Sequence, residues 1–291
     1  MKKEYKTTII ILLVSIIIAL GITWIIFPAD KGQQETDLET GTISVNENAQ
    51  AMGKVRTMEE VIAISHMDVL SKADPVKMYM DASAGQIVPE KLLSKIDVLA
   101  FFKASEISNA VFQRIYGKSY KEDCAISRTD LRYIRVLHMG FDGAAHTGEL
   151  IVHAAIAEAV LDIFYELYQA GYPIEKMLLI DNYDANDELS MTDNNTSCFN
   201  YRVISGSNVW SNHSKGLALD INPLYNPYVK TVNGELQCEP AAANDYIDRN
   251  QEFNYKIDEQ DLCYKIFTKY GFRWGGSWEG VKDYQHFEFE F

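Results

Sequence analysis

The chain has 291 residues, of which 47% are apolar and 23% charged, with a formal net charge of −14. This is globular composition, which excludes a wholly disordered chain, a collagen and a coiled coil. The acidic balance lacks the basic face of a nucleic-acid binder, so no nucleic-acid partner is expected.

The charge is unevenly spread. Lys2, Lys3, Glu4 and Lys6 sum to +2 and are the only charges before Phe27, so the rest of the chain carries −16. Thr7 to Phe27 is an uncharged run of 21 residues. As a helix it spans about 30 Å, the hydrocarbon thickness of a bilayer. With lysines only on its N-terminal side, residues 1–6 are expected in the cytoplasm and everything after 27 outside. The run ends in Trp24, Ile25, Ile26, Phe27 and Pro28 rather than small residues, which favours an uncleaved transmembrane anchor over a signal peptide. Residues 28–56 are polar and aperiodic, a solvated stalk. Residues 57–104 are weakly helical, with Val61, Ile62, Ile64, Leu92, Leu93, Ile96, Leu99 and Phe102 as candidate inward positions.

From about residue 105 the signals are denser. Leu131–Leu137 alternates as a strand, Gly140–Gly143 is a turn, and Glu149–Val152 reads as the returning strand. Ala154–Ala170 is an amphipathic helix with Ala157, Val160, Leu161, Phe164 and Leu167 on one stripe, stopped by Gly171. Met177–Ile180 reads as a short buried strand and Asp181–Asn200 as a long loop, a length that usually serves function. A second helix is expected over Glu259–Tyr270, with Leu262, Cys263, Ile266, Phe267 and Tyr270 inward. Hairpins mixed with helices point to an α+β class. Cys124, Cys198, Cys238 and Cys263 form no CxxC pair, which argues against a cysteine zinc site. Outside a membrane they allow one or two disulfides, and Cys198 is placed to brace the long loop; Cys263 equally suits a buried thiol.

Two segments carry chemistry. In Ser211–Asn222 (SNHSKGLALDIN), Leu217, Leu219 and Ile221 alternate with Ala218, Asp220 and Asn222. A strand sends the first set into the core and holds Asp220 on the other face, while Gly216 lets the chain turn so that His213 approaches it. Near the chain end, His286, Glu288 and Glu290 alternate with Phe287, Phe289 and Phe291, so His286 leaves the polar face of a strand and Asp283 lies just before it. Two imidazoles and a carboxylate can hold Zn²⁺ with a fourth position open to water, whose pKa zinc lowers toward about 7. A further carboxylate must then take the water's proton, and Asp283 is placed for that. Trp274 and Trp278 read as packing groups.

SNHSKGLALDIN resembles the S-x-H-x-x-G-x-A-x-D-[IL] motif of the zinc D-alanyl-D-alanine carboxypeptidases and L-alanyl-D-glutamate endopeptidases of bacterial cell walls, and KDYQHFEF resembles their closing [DE]-x-x-H motif. DLRYIRVLH, GELIV, DELSMTDNNTSCFNYR and FRWGGSW are also similar to that group. The resemblance covers about residues 105–291. It implies a Hedgehog/D,D-peptidase-like fold with a small antiparallel sheet and flanking helices. It also implies His213, Asp220 and His286 as zinc ligands, Asp283 as general base, and Arg202 as an oxyanion or substrate-carboxylate partner. Ser211 is implied as a substrate contact, with a local loop bond as the alternative. Aspartate at the base position resembles the L-alanyl-D-glutamate branch, so hydrolysis of that bond in peptidoglycan stem peptides is the expected activity. D-Alanyl-D-alanine carboxypeptidase activity is the alternative, and a non-catalytic cell-wall binding protein is the rival from another class.

Overall fold

The computed structural model describes residues 74–204 and 206–291. The expected anchor at 7–27, the stalk at 28–56 and the positions Val61, Ile62 and Ile64 lie outside the described residues. Among the described residues no helix is long and apolar enough to cross a membrane.

Helix α1 (Pro75–Asp81) starts where Asp74 accepts hydrogen bonds from the amides of Val76 and Lys77, with Pro75 in the first turn where no amide donor is needed. Helix α2 (Glu90–Leu93) follows. Neither has a fully buried residue; Val88 and Phe101 around them bury against Leu137 instead, and Leu99 stays exposed. Buried Arg135 reaches back to the carbonyls of Tyr79 and Ala82 at 2.9 and 3.1 Å, so this segment is fastened to the sheet beneath it.

Strand β1 (Lys103–Glu106), helix α3 (Asn109–Ile115), and strands β2 (Leu131–Met139) and β3 (Ala145–His153) come next. β1-β2-β3 is an antiparallel sheet. The β2–β3 turn falls at Gly140–Gly143, as the glycines predict. Helix α4 (Ala157–Gln169) lays Val160, Ile163, Phe164 and Leu167 on Ile134, Val136, Leu150 and Val152 of that sheet. The buried stripe therefore runs through Ile163, and Leu161 sits half-buried at its edge.

Several expectations change here. Met177–Ile180 is not a strand. The Met177 carbonyl does accept from the Glu149 amide at 2.9 Å, but the Asn195 side chain satisfies both the amide of Leu178 and its carbonyl. A side-chain amide thus replaces the partner strand. The loop 181–200 is partly helical: a 3₁₀ turn spans Ile180–Tyr183, and α5 (Asp187–Thr192) is capped by Asn186. All four cysteines are free, with Cys198 and Cys263 buried. No disulfide braces the loop; buried Asn194, Asn195, Thr196 and Asn200 do so by hydrogen bonding.

Strand β4 (Ala218–Asp220), the hairpin β5 (Tyr228–Val232) and β6 (Glu235–Glu239), helix α6 (Leu262–Lys269), and strands β7 (Arg273–Trp274), β8 (Lys282–Asp283) and β9 (His286–Glu288) complete the described fold. They form two more antiparallel sheets, ordered β4-β9-β7 and β6-β5-β8. Three small antiparallel sheets with packed helices agree with the α+β class. α6 begins three residues later than expected because Asp261 caps it, which leaves Leu262 exposed outside the Cys263–Ile266–Phe267 stripe. The final alternation ends early: Phe287 is fully buried, Phe289 partly, and Phe291 is 81% exposed beyond the last paired residue.

Candidate metal centre

Backbone register builds the site. β4 and β9 pair with Asp220 opposite His286 and Leu219 opposite Phe287. Directly opposed side chains stand about 5 Å apart at Cβ on one face. One face therefore carries Asp220 and His286, and the other buries Leu219 and Phe287 completely in the main core. His213 arrives from a 3₁₀ turn (Asn212–Lys215) that ends at Gly216, whose φ of +68° is left-handed. A Cβ on Gly216 would also lie 2.7 Å from the His153 amide, so only glycine allows this approach.

The three side chains converge. His213 Nε2 lies 3.2 Å from Asp220 Oδ2 and 3.2 Å from His286 Nδ1, which is 3.0 Å from Asp220 Oδ1. All three residues are buried, and among the described residues they are the group of ligand-type atoms gathered tightly enough to hold a metal ion. His138 and His146 stack on each other, but His138 Nδ1 is bonded to the Ile174 carbonyl and His146 to Asp142. They join no such group.

The donor set fits zinc. Separations of 3.0–3.2 Å approach the roughly 3.4 Å edge of a tetrahedron with bonds of about 2.1 Å. The outer ring nitrogens also have acceptors. His213 Nδ1 faces the Cys198 carbonyl at 2.6 Å, and His286 Nε2 faces Glu288 Oε2 at 3.4 Å. With both imidazoles neutral and the hydrogens on these outer nitrogens, two imidazole lone pairs would meet a carboxylate at the centre. Such a cluster repels itself until a cation enters, and outer acceptors of this kind orient metal-binding histidines. The titration shifts have the same origin. Burial acts against ionising Asp220, yet His213 and His286 hold its carboxyl well below the usual range. Burial also acts against charging His286, yet Asp220 and Glu288 outweigh it and push it up to about 10. A metal ion at this cluster would have to compete with that proton.

Asp283 lies on β8, opposite Tyr228 of β5. It lines the same cleft, of about 530 Å³, as His213, Asp220 and His286. Burial, with smaller contributions from its neighbours, pushes its carboxyl up to about 7. Its Oδ1 is buried and has no hydrogen-bond partner. Arg202 lines the cleft as well, ion-paired to Asp187 of α5, which Asn200 also holds. The Ser211 hydroxyl accepts from the His213 amide at 3.2 Å, so it is engaged in the local bond of the turn that carries His213.

Some cleft residues were not singled out by sequence. Val203 and Trp210 pair in an isolated antiparallel bridge, and Ile204, Val209 and Trp210 form an exposed apolar lip. Trp278, read from sequence as a packing group like Trp274, instead lines the cleft with its ring 5.2 Å from His286, whereas Trp274 is buried packing as expected. Glu288 was visible in the terminal alternation, two residues from His286 and hence on its face.

No curated protein and no solved structure matches the chain. Residues 205–289, which contain His213, Asp220, Asp283 and His286, match the family model described as D-alanyl-D-alanine carboxypeptidase. In that segment the chain is similar to the zinc peptidase family that its two motifs resemble.

Proposed function

We propose that the chain is a zinc-dependent peptidase acting on peptidoglycan stem peptides, with the L-alanyl-D-glutamate bond as its target. The observation that carries this reading is the convergence of His213, Asp220 and His286 in one cleft with Asp283, whose buried Oδ1 has no hydrogen-bond partner. His213, Asp220 and His286 would hold the ion. When bound, zinc supplies Lewis-acid polarisation of the scissile carbonyl and eases deprotonation of water. Asp283 takes the proton of the attacking water on its free carboxylate oxygen and returns it to the leaving amine. A group with a pKa near neutrality can do both. Arg202, steadied by Asp187, supports negative charge on the substrate. The Hedgehog/D,D-peptidase-like arrangement and the anchoring of the domain outside the membrane by residues 7–27 belong to the same proposal.

Cleavage between D-alanines is the second reading, favoured by the description of the matching family. Purified muropeptides incubated with the full-length chain and zinc, with products weighed by mass spectrometry, separate the two. The expected products are split between L-alanine and D-glutamate. Release of terminal D-alanine alone replaces the first reading with the second. No cleavage by a zinc-loaded chain leaves the non-catalytic class.

A further inference from the structure

His286 has two ring nitrogens, and the fold gives each a different neighbour. Nδ1 faces the ligand cluster, and Nε2 faces Glu288. Glu288 is only 8% exposed, so its charge needs compensation. Oε2 accepts from Asn212 Nδ2 at 2.6 Å, and Oε1 accepts from Arg273 Nη2 at 3.1 Å. Strand pairing sets this up: β9 lies between β4 and β7, and Glu288 is opposite Ala218 on one side and Arg273 on the other. Two residues beyond His286, it shares that residue's face. Asn212 immediately precedes His213. One buried carboxylate therefore touches both ligand-bearing segments, the 3₁₀ turn through Asn212 and β9 through the His286 ring.

We propose that Glu288 is a positioning residue for the metal centre: it accepts the Nε2–H of His286, which fixes the tautomer that offers Nδ1 to the ion, and it pins the His213 turn to β9 through Asn212. The role rests on the zinc reading and goes beyond it, because Glu288 is neither ligand nor base. Arg273, 57% exposed at its side chain, balances the charge from the outer side and does not touch either histidine's ligand nitrogen.

Zinc affinity of the full-length chain in detergent, measured by chelator competition, tests this. Loss of such an outer carboxylate typically weakens metal binding about 10–100-fold, and Glu288→Ala is expected in that range. Glu288→Gln keeps an acceptor oxygen and is expected between Ala and wild type. Arg273→Ala removes the outer, half-exposed partner of Glu288 and leaves its contacts to Asn212 and His286, so it is expected within about fivefold of wild type. Nitrogen NMR of His286 in the zinc-loaded wild type should show Nε2 protonated and Nδ1 coordinated, a readout that needs no variant to fold. Wild-type affinity in folded Glu288→Ala, or coordination through Nε2, overturns the positioning role while leaving the metal centre standing. A wild-type chain that binds no zinc overturns both.

Discussion

The two sides of the cleft are built differently. Asp220 and His286 stand on paired strands whose opposite face, Leu219 and Phe287, is fully buried. Arg202, Val203 and Trp210 stand outside any regular strand or helix, joined by the Val203–Trp210 bridge and by the Ile204-to-Val209 and Ser211-to-Arg202 backbone bonds, with Val209 62% exposed. The side with the proposed ligands cannot move without disrupting core packing, whereas the side proposed to face substrate can change at little cost to the core. Metal chemistry tolerates only small errors in donor position, while substrate choice is commonly carried by loops on a rigid frame. Asp283 lies between these regimes. Its strand is short, but it pairs with β5 and follows directly into β9.

If the comparison holds, chemistry and metal binding separate under mutation. The largest effect is expected from Asp283→Asn, which removes the base and spares the ligands. Turnover should fall about 10²–10⁴-fold with zinc content unchanged. The pH dependence has a defined sign. Only the ionised carboxylate accepts a proton, so wild-type activity should rise with pH through about 7 or somewhat lower, since a nearby cation favours ionisation. Stability runs the other way. A carboxyl raised on folding stabilises below its unfolded pKa, and that contribution is lost as pH rises through about 7. The metal-free wild type should therefore lose melting temperature between pH 5 and 8 relative to Asp283→Asn. A flat difference would remove the buried-base reading. Next in size is Arg202→Ala, expected to lower turnover about 10²–10³-fold with zinc affinity and melting temperature near wild type. A change confined to stability would instead make Arg202 a brace for Asp187 and erase the contrast between the two sides.

How far these features were legible in sequence follows the same division. The alternations LALDI and HFEF specify strands with one apolar face, and three or four residues suffice because the period is two. The faces of Asp220, His286 and Glu288 were therefore readable before their pairing was known. The antiparallel register that places Asp220 opposite His286 was not, because it depends on residues 66 positions apart. The helix α5 escaped because six residues are too few for a 3.6-residue period to emerge. Met177–Ile180 has the composition of a strand, but a side-chain amide from Asn195 competed successfully for its backbone groups. Cysteine spacing holds no information on sulfur–sulfur distance, and the four thiols stay free.

The smallest of these effects falls at Gly275, where the two regimes meet. The turn after β7 presses on both chemical strands: a Cβ on Gly275 would lie 2.7 Å from the Asp283 carbonyl oxygen, 2.8 Å from its Cβ and 3.2 Å from the His286 Cβ. Two of these neighbours are the roots of the proposed base and of a proposed ligand, and none is a flexible tip that can swing away. Gly275→Ala must therefore displace β8, β9 or the turn itself, at a cost of about 1–3 kcal/mol for an overpacked methyl. Which strand yields is the informative part. β9 is held by β4 and β7 and buries its own Phe287, while β8 has two paired residues. The weaker strand should give way, moving Asp283 and leaving His286 in place. Turnover should then drop by up to about 10²-fold, as for a reacting group misplaced by about 1 Å, while zinc affinity stays within a few-fold of wild type. Loss of zinc with turnover per bound zinc preserved would show that β9 moved instead, and that the ligand strand is not the rigid half of the cleft.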